Sequence, residues 1–364
     1  MKPQKLVSVA AAGLLAAAAV SACSTSSKTA SPSAASAGSS ATTTGTSSSG
    51  SSNTTVVIGY ENNGAVDPTQ ATQSLGYWQK YIKAKIKTVY FSSGPAALTA
   101  LGSGSVDIMT GIGNPPVASA LATHVPLAVI WDEEDSLTDQ ALVVRASSHI
   151  SSVSQLKGQT VATVVGSTSS YALTGVLKQA GLSPTAVKVL NLTPQAIETA
   201  WKTGQINAAY IWYPVLGALL SSGGVEIAND KSVLSSYPIN NLSVVNKSWA
   251  AQHTQLVDEF IQAQNAGVLA FRNDLSSTLS AELADTGETL TEANLEAKTT
   301  ENFDVSQQLG PDALGTSNSN SLVAKSLIIA SQYLHSLSAS APVLTSVSGM
   351  IDRSYVQAVM NSGS

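Results

Sequence analysis

Short apolar, β-branched runs alternate with helical stretches between residues 54 and 245. Such runs predict strands, whereas apolar positions spaced three or four residues apart predict amphipathic helices. Strands that alternate with helices of about 10–15 residues indicate βαβ units and parallel sheets. The predicted strands are 54–60, 86–91, 106–109, 126–131, 141–144, 160–165, 187–192, 207–212 and 242–245. The predicted helices between them are 70–83, 95–101, one from residue 115, 168–180, 194–203 and one that ends near residue 220.

The pattern changes after residue 245, where long helical stretches replace the alternation of strands and helices. These stretches are predicted over 252–273, 276–284, 291–299 and 320–337. No further βαβ unit is evident there. A helical tail of this kind can return to complete the first of two α/β units.

The N-terminal segment has the pattern of a signal peptide. Lys2 and Lys5 form a short basic region, and residues 6–20 form an apolar stretch of small residues. This stretch is shorter than the roughly 20 residues that a membrane-spanning helix needs. It leads into VSAC at 20–23, which resembles a bacterial lipobox. We therefore expect cleavage before Cys23 and lipidation of Cys23, with an ordinary signal peptide as the alternative.

Residues 24–53 consist almost entirely of Ser, Thr, Ala and Gly. Such a composition cannot bury enough apolar surface to fold. We expect a flexible tether that spans about 30 Å on average. A folded part formed by residues 54–364 would then stand just off a membrane, outside the cytoplasm.

Composition and missing motifs exclude several classes of function. Cys23 is the only cysteine, which excludes an intrachain disulfide and a cysteine-rich zinc site. The net charge of −5 comes without any basic run, so we expect no nucleic-acid partner. The chain contains no phosphate-binding loop, HExxH or GxSxG motif, and its four histidines are scattered. We expect neither a cofactor nor a metal site.

Three junctions between a strand and a helix are rich in small polar residues, namely SSGP at 92–95, GIGNPP at 111–116 and GSTSSY at 166–171. Ligands of open α/β sheets bind at the carboxyl ends of the strands. The unpaired N–H groups and the dipole of a helix N-terminus favour an anion there. Plain helix capping explains one such loop, but three of them in an α/β pattern indicate a shared cleft.

Aromatic and acidic residues are further candidates for a pocket. Tyr171, Trp212, Tyr213 and Trp131 could form its walls or simply pack in the core. The run WDEED at 131–135 follows a predicted strand and is expected to be a solvated acidic loop. The sharper alternative is that one carboxylate, with Asp132 as the candidate, meets a ligand amine, and that Trp131 adds cation–π attraction.

These residues carry a resemblance to a known family. Residues 171–219 resemble the second lobe of the taurine-binding proteins of bacterial ABC importers. The pattern NLTPQAI…AW…G…AYIWYP within them is typical of the taurine branch. Weaker similarity extends from about residue 55 to about residue 270, and the wider group binds nitrate, alkanesulfonates and thiamine-precursor pyrimidines.

The resemblance implies a two-lobed α/β fold of the type II periplasmic-binding-protein kind. Each lobe would be a mostly parallel sheet flanked by helices, with a C-terminal helical extension. Two crossing segments would let the lobes close on a ligand. We expect a signal peptide at 1–22, the lipidated tether at 23–53, the first part of lobe 1 at 54–144, lobe 2 at 145–236, and the return to lobe 1 with the C-terminal helices at 237–364.

The resemblance also implies a set of ligand contacts. In that group, hydroxyls and backbone N–H groups hold a sulfonate-like anion. The matching positions are Asn62, Asn63, Ser93, Gly94, Gly113, Asn114, Ser167, Thr168, Ser169, Tyr171 and Trp212. At two more candidate positions the relatives carry carboxylates, which would suit the taurine ammonium, whereas this chain has Gln140 and Asn241. The ligand is therefore either taurine or a small anion without an amine.

The expected function follows from this resemblance. The chain would be a monomeric binding protein, not an enzyme, and would deliver its ligand to a membrane permease driven by a separate ATPase. Nitrate, betaine and pyrimidine precursors are alternative ligands, and a ligand sensor is an alternative role. A pyrimidine-synthase-like enzyme on the same fold would need a cysteine-rich motif, which this chain lacks.

Overall fold

A computed structural model describes residues 54–61, 66–286 and 289–363. The predicted signal peptide and tether, together with Cys23, Asn62 and Asn63, lie outside the described residues. Within these ranges, none of the helices is both long enough and apolar enough to cross a membrane.

Six strands form the first sheet, in the spatial order β2, β1, β3, β10, β4, β11. The strands β1, β2 and β3 are parallel, whereas β10 runs antiparallel to both of its neighbours and β11 is antiparallel to β4. Their bounds are β1 (Thr55–Tyr60), β2 (Lys85–Tyr90), β3 (Ile108–Gly113), β4 (Leu127–Ser136), β10 (Asn240–Asn246) and β11 (Thr300–Glu301).

Five strands form the second sheet, in the order β7, β6, β8, β5, β9. β6 is parallel to β7 and β8, and β5 is antiparallel to β8 and β9. The bounds are β5 (Gln140–Arg145), β6 (Thr160–Thr163), β7 (Lys188–Asn191), β8 (Ala208–Trp212) and β9 (Gly224–Asn229). The expected α/β fold class is thus confirmed, and each sheet also contains antiparallel pairs.

Helices cover both sheets. Their bounds are α1 (Pro68–Ser74), α2 (Tyr77–Tyr81), α3 (Gly94–Ser103), α4 (Asn114–Ala122), α5 (Thr168–Gln179), α6 (Pro194–Lys202), α7 (Val215–Ser221), α8 (Lys247–Ala250), α9 (Thr254–Asn273), α10 (Leu275–Thr286), α11 (Leu290–Glu296), α12 (Leu322–Leu337) and α13 (Ser354–Ser362). The side chains of β5 alternate between two hydrophobic cores. Leu142 and Val144 pack in one core, and Ala141 and Val143 pack in the other. Both faces of the second sheet are therefore packed, which explains its continuous apolar strands.

The chain crosses from the first sheet to the second between Ser136 and Gln140, and it returns between Asn229 and Asn240. The first crossing lies a few residues before the expected end of lobe 1 at residue 144, because the strand at 140–145 pairs in the second sheet. After the return, β10 inserts between β3 and β4.

The acidic run at 131–135 is not the solvated loop that the sequence predicts. β4 continues through the run, and Asp132, Glu133, Glu134 and Asp135 are all less than a tenth exposed. Polar partners distant in the sequence make this burial possible. Glu133 accepts hydrogen bonds from the hydroxyls of Thr69, Thr110 and Ser243, and Asp135 accepts one from the Asn240 amide. Buried carboxylates need such donors.

Candidate ligand-binding cavity

A cavity opens where the ends of strands from both sheets approach each other. The centre of a water-sized molecule can occupy about 70 Å³ of it, and the empty space, counted with adjoining open solvent, is about 690 Å³. The first sheet contributes Gly113 and Asn241, and the second contributes Gln140 and Trp212. The other lining residues are Glu61, Val66, Asp67, Gly94, Gly111, Pro116, Glu134, Asp139, Ser167, Thr168, Tyr213, Glu296, Thr299 and Thr300.

The structure brings half of the sequence-predicted ligand contacts to this cavity. Those that line it are Gly94, Gly113, Gln140, Ser167, Thr168, Trp212 and Asn241. Five others do not line it but are buried, namely Ser93, Asn114, Asp132, Ser169 and Tyr171. Trp131, offered as a pocket wall, is also fully buried.

Three of the buried candidates contact residues of the lining or of the structure around the cavity. The Ser169 hydroxyl donates to Gln140 Oε1 at 2.6 Å and so orients a side chain of the lining. The Asn114 amide donates to the carbonyl of Pro238 at 3.0 Å, which lies in the second crossing. Tyr171 packs edge-on against Tyr237 and Tyr333. These three residues contact the structure around the cavity and are not part of its lining.

Asp132 is likewise buried and absent from the cavity lining. Its backbone N–H and C=O are both bonded by the Gln308 side chain, at 2.9 and 2.7 Å. Neither of its carboxylate oxygens has a hydrogen-bond partner. Burial and the neighbouring carboxylates keep the pKa of Asp132 well above its ordinary value.

The N-termini of three helices reach the cavity. α3 begins at Gly94, α4 follows Gly113, and α5 begins at Thr168 after Ser167. None of the three is capped by a side-chain hydrogen bond, and the Ser167 hydroxyl instead donates to the carbonyl of Val164. The first turn of a helix has N–H groups without intrahelical partners, and its dipole is positive. Pro95 in α3 and Pro115 and Pro116 in α4 lack an N–H, so α5 offers the most donors of the three. This part of the cavity suits an anionic group.

The rest of the lining is strongly acidic. Five carboxylates contribute to it, and the described lining contains no Lys, Arg or His. They are Glu61, Asp67, Glu134, Asp139 and Glu296. Asp139 Oδ1 is a buried atom without a hydrogen-bond partner. Glu134 accepts a hydrogen bond from the Asn241 amide at 2.7 Å.

Three carboxyl groups of the lining have raised pKa values, chiefly because they are buried. Burial raises the pKa of Glu61 to about 8. Burial, followed by the charge of Asp139, raises the pKa of Glu134 to about 7. Burial, together with the charge of Asp230, keeps the pKa of Asp139 well above its ordinary value. Each shift means that a negative charge here lacks sufficient compensation.

A hydrogen bond joins the two crossings close to Asp139. Asp230, which follows β9, is fully buried and accepts hydrogen bonds from the Ser136 hydroxyl at 2.6 Å and from the Tyr210 hydroxyl at 2.8 Å. Ser136 ends β4, so one carboxylate ties the start of the first crossing to the start of the second. Burial raises the pKa of Asp230 to about 7.

Several lining residues were not among the sequence-predicted candidates. Glu61 directly follows the first strand, and Asp139 stands beside the candidate Gln140, so their position in the chain was a usable signal. Glu296, Thr299 and Thr300 come from the C-terminal part, and nothing in the local sequence indicates that they reach a cavity formed by earlier strands.

Two mixed sheets, linked by two crossings and enclosing a cavity at their strand ends, define the periplasmic-binding-protein fold. Solved structures with this fold match nearly the whole described chain. The alkanesulfonate-binding protein SsuA of Xanthomonas axonopodis pv. citri bound to MOPS has a TM-score of 0.68 at 21% identity, covering 82% of this chain and 98% of that one. The desulfurization enzyme DszB has a TM-score of 0.62 at 15% identity, covering 85% of this chain and 100% of that one.

The chain belongs to the NMT1/THI5-like family, which residues 71–274 match. A taurine-binding periplasmic protein of Escherichia coli K12 is 32% identical over 199 residues, which are 55% of this chain and 61% of the relative. The chain thus spans about three fifths of the length of this relative. The resemblance to taurine- and sulfonate-binding proteins is confirmed at the level of the family.

Proposed function

We propose that this protein is the extracytoplasmic binding component of an ABC importer and takes taurine or a related small sulfonate into the cavity. The observation that carries the proposal is the convergence of strand ends from both sheets, with three helix N-termini that have no side-chain cap, on one cavity. A sulfonate would accept hydrogen bonds from the first-turn N–H groups, chiefly those of α5, because α3 and α4 have proline in their first turns.

The mechanism in this proposal is closure around the ligand. Gly113 and Asn241 belong to the first sheet, and Thr168 and Trp212 to the second half of the fold, so a bound ligand contacts both. A ligand stabilises whichever arrangement lets it make both sets of contacts. The closed form would dock on a permease, and the ATPase would be a separate chain.

Membrane attachment through Cys23 is part of the same proposal. The family relative is named a periplasmic protein, which supports an extracytoplasmic place for this chain. Lipid on Cys23 would hold the binding domain near the permease. Metabolic labelling with a radioactive fatty acid tests this, since Cys23→Ser should abolish the incorporated label.

Thermal unfolding of the protein against a panel of small solutes tests the binding function. The panel contains taurine, alkanesulfonates, nitrate, sulfate, glycine betaine and pyrimidine precursors. A ligand at about one hundred times its Kd stabilises the folded state by about 2.7 kcal/mol, which shifts the melting temperature visibly. A shift with a sulfonate supports the proposal. A shift with only non-sulfonates would overturn the sulfonate assignment, and no shift at all would contradict the binding function.

The lack of space for a side chain at Gly113 predicts a substitution that would weaken ligand binding. A Cβ at this position would lie 2.6 Å from Thr168 Cγ2. We expect Gly113→Ala to weaken binding of the ligand found in the panel by about tenfold or more, or roughly 1.4 kcal/mol. The added methyl group would hold β3 and α5 apart and so disturb the part of the lining that Gly113 and Thr168 share.

A double variant provides the matched control for this prediction. Thr168→Ser removes Cγ2 and keeps the hydroxyl, so the pair Gly113→Ala and Thr168→Ser should recover most of the lost affinity. Isothermal titration calorimetry measures all three Kd values. Equal affinity of Gly113→Ala and the parent protein would show that this contact does not limit closure.

A further inference from the structure

Four exposed lysines lie close together at one edge of the first sheet. They fall within the end of α2, the turn after it and the start of β2, which is an edge strand. Neighbouring members are two or three residues apart in the chain, and so at most about 11 Å apart in space. The members of this lysine cluster are Lys80, Lys83, Lys85 and Lys87.

The lysine cluster is a positively charged region of an acidic chain. Residues 54–364 contain 15 basic and 23 acidic residues, yet no Asp or Glu occurs between residues 68 and 106. The carboxylate of Glu259 reaches the region from α9, but it is buried. It accepts hydrogen bonds there from the Lys83 backbone N–H at 2.7 Å and from the Gln255 amide at 3.0 Å. The exposed side of the cluster therefore carries a net positive charge.

Two members of the cluster contact neutral groups. Lys80 Nζ lies 5.4 and 5.1 Å from the ring centres of Tyr77 and Tyr81, which are half-buried. Lys83 Nζ donates a hydrogen bond to the carbonyl of Lys80 at 2.6 Å. Such contacts position a lysine without cancelling its charge. Tyrosine is also enriched where proteins meet the membrane–water interface.

The predicted tether joins the folded part of the protein beside the lysine cluster. Residues 24–53 separate Cys23, the predicted lipidation site, from Thr54. The Lys85 backbone N–H donates to the carbonyl of Thr54 at 3.0 Å, and Thr55, the first residue of β1, pairs with Lys85 of β2. A lipid on Cys23 would therefore hold the chain to the membrane through a segment that ends at the lysine cluster.

The lysine cluster and the cavity lie at opposite ends of the first sheet. β1 begins beside Lys85 and ends at Tyr60, and the next residue, Glu61, lines the cavity. The strand between these two points spans about 17 Å. A surface that contacts the lysine cluster therefore leaves the cavity open to solutes.

We propose that the lysine cluster binds the anionic headgroups of the membrane to which the chain is tethered. This inference rests on the membrane attachment in the proposed function. It adds a second contact, which orients the binding domain on the lipid surface. The attraction between lysines and anionic lipid fades within roughly 10 Å in ordinary buffers, so the cluster must lie close to the surface, where the tether brings it.

Binding to lipid vesicles tests the inference. The test uses the mature chain without its lipid, residues 24–364, which includes every residue that the structure describes. One set of vesicles is phosphatidylcholine alone, and the other is an equal mixture of phosphatidylcholine and phosphatidylglycerol. We expect co-sedimentation with the anionic vesicles alone, and we expect added salt to release the protein because it screens the attraction. Equal binding to both sets, or binding to neither, would overturn the inference.

Two matched sets of substitutions assign the contact to its residues. Replacing all four lysines of the cluster with glutamine should weaken binding to the anionic vesicles by about tenfold or more. The control replaces four exposed lysines elsewhere with glutamine and so changes the net charge equally; it should retain most of the affinity. The control positions are Lys157, Lys188, Lys231 and Lys325. Equal losses in the two sets would show that overall charge drives binding, which would overturn the inference.

A soluble polyanion is the alternative partner for such a cluster. Binding of inorganic polyphosphate without binding of the anionic vesicles would overturn the lipid assignment in favour of that alternative.

The ligand panel and the fatty-acid labelling separate this inference from the proposed function. Both sets of lysine variants should show the same thermal shift with the ligand as the parent protein, because the cluster lies away from the cavity. A failed vesicle test would therefore leave the binding function and the lipid anchor intact. A panel without any shift would contradict the binding function and leave the vesicle result standing.

Discussion

Replacing Gln308 with alanine is expected to lower the free energy of unfolding by about 3 kcal/mol or more. Gln308 is fully buried and bonds three backbone groups, the N–H and C=O of Asp132 and the C=O of Phe303. Alanine would remove these three hydrogen bonds, and a buried group that loses its partner costs about 1–3 kcal/mol. The side chain is also one of the polar links between β4 and the C-terminal part of the chain, beside the pairing of β4 with β11.

Chemical denaturation measures this change, and the neighbouring residue provides the control. Gln307 is exposed and bonds Arg272 and the Asp304 backbone at the surface. Gln307→Ala should cost less than about 1 kcal/mol, as is usual for surface positions. If the two variants lost equal stability, β4 would not depend on the C-terminal part in the way that the structure shows.

Raising the pH from 5 to 9 is expected to destabilise the ligand-free protein. The folded state raises the pKa of Glu61 to about 8 and those of Glu134 and Asp230 to about 7. In the unfolded chain these groups lose their protons near pH 4 to 4.5, which are the ordinary values. Their contribution to stability is therefore fully present below about pH 4 and is lost as the pH rises through about 7 to 8.

The rate at which the free energy of unfolding falls with pH can be bounded. Each proton that the folded state retains and the unfolded state has released contributes about 1.4 kcal/mol per pH unit. Denaturant titrations at pH 5, 7 and 9 measure it, and the double variant Glu61→Gln and Glu134→Gln should flatten the curve. The control Glu198→Gln, at a surface residue paired with Lys202, should leave the slope nearly unchanged. A free energy of unfolding that rises between pH 5 and 8 would contradict the raised pKa values.

Much of the strand pattern was predictable from local sequence. The strands at 54–60, 160–165 and 207–212 are each found within two residues of their predicted ends. They are apolar on both sides because helices cover both faces of each sheet, and this produces runs that are visible without tertiary information. The predicted helix at 70–83 is instead two helices, since Gly76 adopts a positive φ of 69° between them.

The missed strands depend on distant pairing. β3 extends to Gly113, beyond its predicted end at residue 109, because Ile112 and Gly113 pair with Leu242 and Asn241 of β10. β9 was not predicted, and it is an edge strand in which no residue is buried. Strand length in a sheet is set by the neighbour, which can lie more than a hundred residues away.

The acidic run at 131–135 also depends on residues distant in the sequence, so its burial could not be predicted locally. Four consecutive carboxylates indicate a solvated loop unless the chain provides buried donors, and the donors to Glu133 are Thr69, Thr110 and Ser243. Only the folded arrangement brings these hydroxyls together. The burial of the run was therefore hidden from the sequence, although the alternative that one of its carboxylates reaches the pocket holds for Glu134, and half of the candidate contacts line the cavity.

A crystal structure of the protein with its best ligand from the panel tests the central claim most directly. The account predicts that the ligand lies between the two sheets, in contact with Gly113 and Asn241 on one side and Thr168 and Trp212 on the other, with its anionic group at the N-terminus of α5. A ligand bound outside this cavity would contradict the account. So would a ligand inside it with the anionic group against the carboxylates.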